Sequence, residues 1–260
     1  MGSNLHPSLA ENLHPSLADD LHGGVVSDWR YAVTGIQAAF YAGDSQQYLT
    51  LVGSAIDDIT DAIPASRKTV TEAPYVLSAP AVGRRPVLSG QGMVFTAANL
   101  EALIGDVGLA PLVDGTQPCT IMVRGGWVSG ATNRDMASAA NPTVDSNYVE
   151  TLISASGVFA VSRRNPTIDT ITGGAGTTAA TMAMVYNGTQ HAIYRDGALA
   201  VAFTATAQQP SCSRFSLGNL CRLTEANHFN GTMYEVIVCL AALGATEIGD
   251  VHDQLVARYP

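Results

Sequence analysis

The run TAATMAMVYNGTQHAIYRDGALAVAFTATAQ, Thr178 to Gln208, decides the fold class. Apolar residues fill it on both sides of two dipeptides, Asn187-Gly188 and Asp196-Gly197, which accept the positive φ values of a tight hairpin turn. Short antiparallel strands are therefore expected, the second turn lying between Ile193 or Tyr194 and Leu199. The neighbouring text reads the same way. TLISASGVFAVSR (151–163), SRFSLGNL (213–220) and FNGTMYEVIVCLA (229–241) are apolar runs separated by glycine and polar turns. Strands this short, with so little helix between them, call for an all-β sandwich or jelly roll. A parallel α/β sheet would need a crossover helix between successive strands, and the sequence has none.

Upstream, CTIMVRGGWVSG (119–130) reads as a central strand entering a glycine-rich bend, and PVLSGQGMVFTA (86–97) as a hairpin. VVSDWRYAV (25–33) and QQYLTLVG (46–53) are candidate strands, and Ser27-Asp28-Trp29 reads as a compact polar-aromatic turn. Residues 57–86 hold four prolines, Pro64, Pro74, Pro80 and Pro86, and read as loop, so Asp57, Asp58 and Asp61 are expected on a loop or short helical turn. Residues 100–115 read as a short helix or turn. The best helix candidate is GATEIGDVHDQLVARYP (244–260): Thr246 is the expected cap, Glu247 suits the positive end, and Ile248, Val251, Leu255 and Tyr259 form one stripe. The simplest division is an arm over 1–24 and one domain over 25–260, with an alternative internal boundary near Ala140 to Asn147, in the polar, turn-rich run SAANPTVDSN.

The arm carries an eight-residue repeat: NLHPSLAE (4–11), NLHPSLAD (12–19) and a truncated DLHG. Its leucines, Leu5, Leu9, Leu13, Leu17 and Leu21, recur every fourth residue, and the prolines break any single helix. Two readings follow: a docking arm, or a cover for the edge of the same domain. The start has no basic segment followed by an apolar run, so it does not read as a signal peptide. No window approaches eighteen uninterrupted apolar residues, and no membrane span is expected.

Charged residues make up only 13% of the 260, about half the usual share, and the net charge is −9. Hydrophobic content of 47% excludes intrinsic disorder for most of the chain. The basic pairs Arg84-Arg85 and Arg163-Arg164 make no groove, which argues against direct nucleic-acid binding. Cys119, Cys212, Cys221 and Cys239 match no zinc or redox pattern. Two states stay open for them: four buried thiols, or a bridge between Cys212 and Cys221 if the segment between folds back.

Chemistry is sparse. No HExxH, GxSxG or GxxxxGK[ST] occurs, and GGAGTT (173–178) reads as a loop. The three arm histidines reflect duplication, and His191 reads as a sheet residue. No pair of acids lies a few residues apart on a strand face, as glycoside cleavage would use. The chain is therefore expected not to be an enzyme.

Several motifs in order resemble the laminin-G-like, concanavalin-A-like jelly roll found in extracellular proteins and phage particles. They are LADDLHGGVVSDW (17–29), GRRPVLSGQGMVF (83–95), DGTQPCTIMVRG (114–125), IYRDG (193–197), FSLGN (215–219) and FNGTMYEVIV (229–238), followed by the closing helix. The resemblance implies an all-β sandwich with an N-terminal arm and a short C-terminal helix. In it Phe229 and Tyr234 fill the core, Gly231 permits close strand approach, and Glu235 satisfies backbone donors near an edge. It further implies a non-enzymatic virion component, a capsid decoration or tail accessory on the particle exterior, docked through the arm to other virion proteins and its own copies. The alternative is a carbohydrate-binding adhesin for host-surface glycans, with Trp127 and Tyr148 as stacking residues; a glycoside hydrolase ranks behind both. No cofactor is expected. One Ca²⁺ is an open option that the family brings, with Asp28, Asp106, Asp114 and Asp196, and Asn187 or Asn219, as the oxygen donors that could converge.

Overall fold

The computed structural model describes residues 28–42, 46–70, 73–106, 108–114, 117–128, 132–154, 157–164, 168–175, 179–204 and 211–260. The two hairpin dipeptides turn as their chemistry requires. Asp196 and Gly197 both have positive φ, 48° and 80°, and the Asn187 side chain accepts from the backbone of Thr189 and Gln190 at 3.0 and 2.8 Å. They connect β13 (Ala180–Tyr186), β14 (Gln190–Arg195) and β15 (Ala198–Thr204).

These three strands continue a sheet, here sheet A, in the order β15, β14, β13, β8 (Cys119–Trp127), β17 (Gly231–Cys239), β1 (Ile36–Tyr41). Facing it, sheet B runs β2 (Leu49–Val52), β3 (Ala55–Thr60), β4 (Val76–Ser78), β7 (Leu103–Gly105), β16 (Arg214–Leu217), β9 (Arg134–Ala140), β10 (Tyr148–Ile153), β11 (Val158–Arg164), β12 (Ile168–Ala175). Every pairing is antiparallel. The hairpin of β5 (Val87–Ser89) and β6 (Gly92–Phe95) joins the two sheets, since β6 pairs with β17 and β5 touches β3. The architecture is a jelly-roll sandwich.

Alternation along the strands builds the core. Val236 and Val238 of β17, Ile121 and Val123 of β8, and Met182 and Met184 of β13 face Ile59, Leu77, Phe215, Val149 and Val161 of sheet B. Phe40 and Phe215 stack across the gap with centroids 6.1 Å apart. Each fully buried side chain of this size contributes about 1.5–3 kcal/mol. Phe229 is fully buried, whereas Tyr234 lies on the other face of sheet A, stacked on Tyr259.

That other face is covered by α2 (Ala245–Arg258), which follows the one-turn helix α1 (Leu109–Leu112) in the chain. Ile248, Val251, Leu255 and Tyr259 are all buried against Met122, Val185 and Ile237, as the apolar stripe requires. The cap differs from expectation. Gly244, not Thr246, is the N-cap residue, and its N–H donates to the Glu247 carboxylate at 3.1 Å. Among the described residues no helix is long and apolar enough to cross a membrane.

Three further expectations are corrected. Trp29–Ala32 is a 3-10 turn rather than strand, because the Asp28 carboxylate accepts from the Arg30 N–H and caps it. The first strand of the sheet is Ile36–Tyr41, buried on both faces and so without the alternation that marks a half-exposed strand. Asp57 and Asp58 lie on β3, where a bulge beside Ile56 accommodates the extra acid. Glu235 satisfies no edge donors; it sits at 0% exposure in an ion pair with Arg30. Gly231 behaves as expected, since a Cβ there would collide with the Gly126 carbonyl of the neighbouring strand.

The arm, 1–24, with Leu5, Leu9, Leu13, Leu17 and Leu21, lies outside the described residues. Around the alternative boundary, residues 141–147 connect β9 to β10, which pair with each other inside sheet B.

Candidate functional site

The outward face of sheet B carries a continuous polar row. In one register line stand Thr50 (β2), Asp58 (β3), Ser78 (β4), Ile104 (β7), Ser216 (β16), Ser138 (β9), Glu150 (β10) and Ser162 (β11). Neighbouring strands stand about 4.8 Å apart, so the row is a ladder of short side chains crossing the sheet. Its inward neighbours, Leu77, Phe215, Val149 and Val161, are core. The period-2 rule therefore assigns the row to the outside, and only Ile104 breaks its polarity.

The segment 218–230, between β16 and β17, folds over one half of this row. Gly218 turns back with φ +89°, packed so tightly on the Phe95 ring that no Cβ fits. The Ser138 and Ser216 hydroxyls donate to the Asn219 carbonyl at 2.9 and 2.7 Å, and Leu220 and Cys221 pack on Ala140 and Tyr148. Further along, Asp145 accepts from the Thr224 N–H at 2.8 Å, and the Asn227 carbonyl accepts from the Asp135 N–H at 2.7 Å. The half formed by β2, β3, β4 and β7 stays open, with Thr50, Val76 and Ser78 exposed.

Where the covered half meets the open half there is a cleft of about 230 Å³, lined by Ser78, Ala79, Pro80, Ile104, Gly105, Asp106, Arg214 and Glu225. Arg214 opens β16 and projects outward because Phe215 must face the core. Its Nε and Nη2 donate to the two Asp106 oxygens at 2.7 and 3.2 Å. The hydrogen bonds from Arg214 hold Asp106 below the usual carboxylate range despite some burial, and Asp106 in turn raises Arg214. On the loop side, Glu225 accepts from Asn219 Nδ2 at 2.8 Å and is paired with Arg84. Ile104, Ala79 and Pro80 supply an apolar floor between these polar walls.

Under the loop lies a second pair of acids. Asp135 is fully buried and Glu150 nearly so, on adjacent strands, with Asn227 Nδ2 3.3 Å from Glu150. Burial, then the charge of Glu150, pushes Asp135 well above the usual carboxylate range; burial also raises Glu150. Two such acids match a glycosidase pair only in composition, because the loop seals them from any saccharide.

The residues picked from sequence are dispersed. Tyr148 is 5% exposed beneath Leu220 and Cys221, so its ring is a packing surface rather than a stacking platform. Trp127 is half-buried at the far end of sheet A, its ring edge-on to Phe159 at 4.7 Å. The proposed calcium donors serve other ends. Asp28 pairs with Arg30, Asp106 with Arg214, and Asp196 accepts from the Thr181 N–H at 2.9 Å; Asp114 is buried near α1. Asn187 caps a hairpin and Asn219 holds Glu225. The six named donors are thus not brought together, and among the described residues no group of three His, Cys, Asp or Glu is placed to hold a metal ion. All four cysteines are buried free thiols; Cys212 and Cys221 are not bridged. Sequence reading missed Arg214, Glu225 and Ser78, since only the strand register gathers residues 78, 104, 214 and 225.

No family model matches the chain, and no curated protein matches it by sequence. Solved structures do match. The leech intramolecular trans-sialidase complexed with 2,7-anhydro-Neu5Ac superposes with a TM-score of 0.50 and 19% identity, over 64% of this chain and 26% of that one. The NanB sialidase from Streptococcus pneumoniae, as its K499G mutant, gives 0.50 and 14%, over 63% and 28%. The Ruminococcus gnavus IT-sialidase CBM40 bound to α2,3 sialyllactose gives 0.49 and 20%, over 54% and 84%. The chain thus spans about a quarter of each of the two full sialidases. At these identities the likeness to the two sialidases is one of fold, the shared sandwich.

Proposed function

We propose that this chain is a non-catalytic glycan-binding module whose ligand occupies the cleft between β4, β7 and the 218–230 segment. One observation carries the reading: Ser78, Asp106, Arg214 and Glu225 converge around an apolar floor, on the open margin of a polar sheet face. Sugars present hydroxyls on their edges and C–H groups on their faces, and a site with a few placed polar groups over apolar lining suits both. The sandwich is also one that sialidases carry, which fits a role beside carbohydrate. The Asp135 and Glu150 pair is buried, and the cleft acids Asp106 and Glu225 are each ion-paired with an arginine, which supports binding without turnover.

Glycan-array screening of the full chain, followed by calorimetry, tests the proposal. Binding that is lost in Arg214→Ala and in Ser78→Trp, with folding unchanged, supports it. Undiminished binding in both variants, or release of shortened saccharide, overturns it. Display on a particle through the 1–24 arm is compatible with this site and rests on sequence alone; deleting 1–24 and measuring particle association tests it separately.

A further inference from the structure

On the glycan-binding reading above, we propose that the cleft selects uncharged glycans and rejects sugars bearing carboxylate or sulfate. A guanidinium on a sheet face is the usual way to hold an anionic group, by two parallel N–H bonds. Here that geometry is already used. Arg214 spends Nε and Nη2 on the two oxygens of Asp106. Arg84, behind the cleft wall, directs both Nη groups to Glu225 and its Nε to the Leu100 carbonyl at 2.7 Å. An incoming carboxylate has either to displace Asp106 from that fork or to settle on the outer Nη edge of Arg214, beside the Asp106 charge.

The surrounding field works in the same direction. The cleft lining holds two carboxylates, Asp106 and Glu225, against one guanidinium, Arg214. Along the open half of the row the next charged side chain is Asp58, directly across from Ser78. Its neighbour Asp57 is paired with Arg85 at 2.7 Å, so no free cation is contributed from that side among the described residues. Like charges brought together repel, and they do so across the part of the face where an extended ligand would run.

A neutral sugar meets none of these penalties. Each hydroxyl both donates and accepts. Carboxylate oxygens of Asp106 and Glu225 have lone pairs left for sugar O–H donors, while Ser78 Oγ and the remaining Arg214 N–H groups can donate to sugar oxygens. Ile104, Ala79 and Pro80 take the C–H face. Ion pairs that would block an anion thus become a fixed array of donors and acceptors for an uncharged ligand.

The experiment compares matched saccharides that differ only in charge: lactose with 3′-sialyllactose, and neutral oligosaccharides with their uronate or sulfate counterparts, against the full chain. The neutral member should bind at least about tenfold more tightly, equivalent to about 1.4 kcal/mol, and its affinity should change little between low and high salt. Asp106→Asn should narrow or reverse the preference by freeing Arg214. Tighter binding of the charged members, or a preference unmoved by Asp106→Asn, overturns the selectivity while leaving glycan binding intact. Binding of neither class overturns the glycan reading itself.

Discussion

Arg30 and Glu235 lie 205 residues apart in the chain and meet in the interior, the guanidinium Nη2 2.5 Å from Oε2. Neither is more than 1% exposed. Burial disfavours the charged guanidinium, but the hydrogen bonds and charge of Glu235 outweigh it and raise the Arg30 pKa. Asp28 and Tyr259 complete the set, so the entry turn, β17 and the end of α2 share one charge network.

Removing one member should therefore strand the other. Arg30→Met or Glu235→Leu alone should cost about 3–5 kcal/mol, whereas the double variant should recover a large part, because well-packed apolar pairs replace buried ion pairs with little loss. Urea denaturation of the four proteins measures this. Additive costs in the double variant would show that the two side chains act independently.

The buried Asp135 gives a pH signature. In the unfolded chain an aspartate loses its proton near pH 4, whereas the folded Asp135 keeps it to a higher pH. Across that window the folded state binds more protons, so stability falls as pH rises from about 4 through the raised value. Asp135→Asn should flatten this part of the profile and be less destabilised at pH 7.5 than at pH 4.5. Urea midpoints across that range, wild type against variant, decide it; parallel profiles would contradict the assignment.

Gly218 is where the loop leaves β16 with φ +89° against the Phe95 ring. Gly218→Ala combines left-handed strain of about 1–3 kcal/mol with a steric clash. The variant should lose stability and lose glycan affinity together, since Glu225 rides on the same segment. Retained affinity in a folded variant would separate the loop from the cleft.

Thiol chemistry follows from burial. Four free, buried cysteines should resist alkylation in native buffer and all react in denaturant, and reductant should leave the melting temperature unchanged. Rapid modification of any one under native conditions would mean that its cover opens.

The strands were largely legible where turns carry their own chemistry. Asn187-Gly188 and Asp196-Gly197 specify positive φ locally, and the Ile248 to Tyr259 stripe specifies a helix by period. Ile36–Tyr41 was not legible, because a strand buried on both faces has no alternation. Asp57 and Asp58 misled because two acids in a proline-rich stretch look like loop, while a bulge lets them sit in β3. The cleft was illegible for a different reason. Ser78, Asp106, Arg214 and Glu225 come from four separate segments, and nothing in their local sequence marks the register that unites them. Tyr148 attracted notice as an aromatic residue, yet its ring is buried beneath Leu220 and Cys221, while Trp127 stands half-buried against Phe159, away from the cleft.

The position of β17 has a consequence for synthesis. This strand holds β1 and β6 along one edge and β8 along the other, yet it is translated after every other strand described. Until it emerges, β1, β6 and β8 carry open edges and the slot between β1 and β8 in sheet A is vacant. Sandwiches with such long-range pairing fold slowly, and unpaired edges invite association with other chains. A nascent chain stalled before Gly231 should accordingly depend on chaperones, and its release should trigger sheet closure as a single late event.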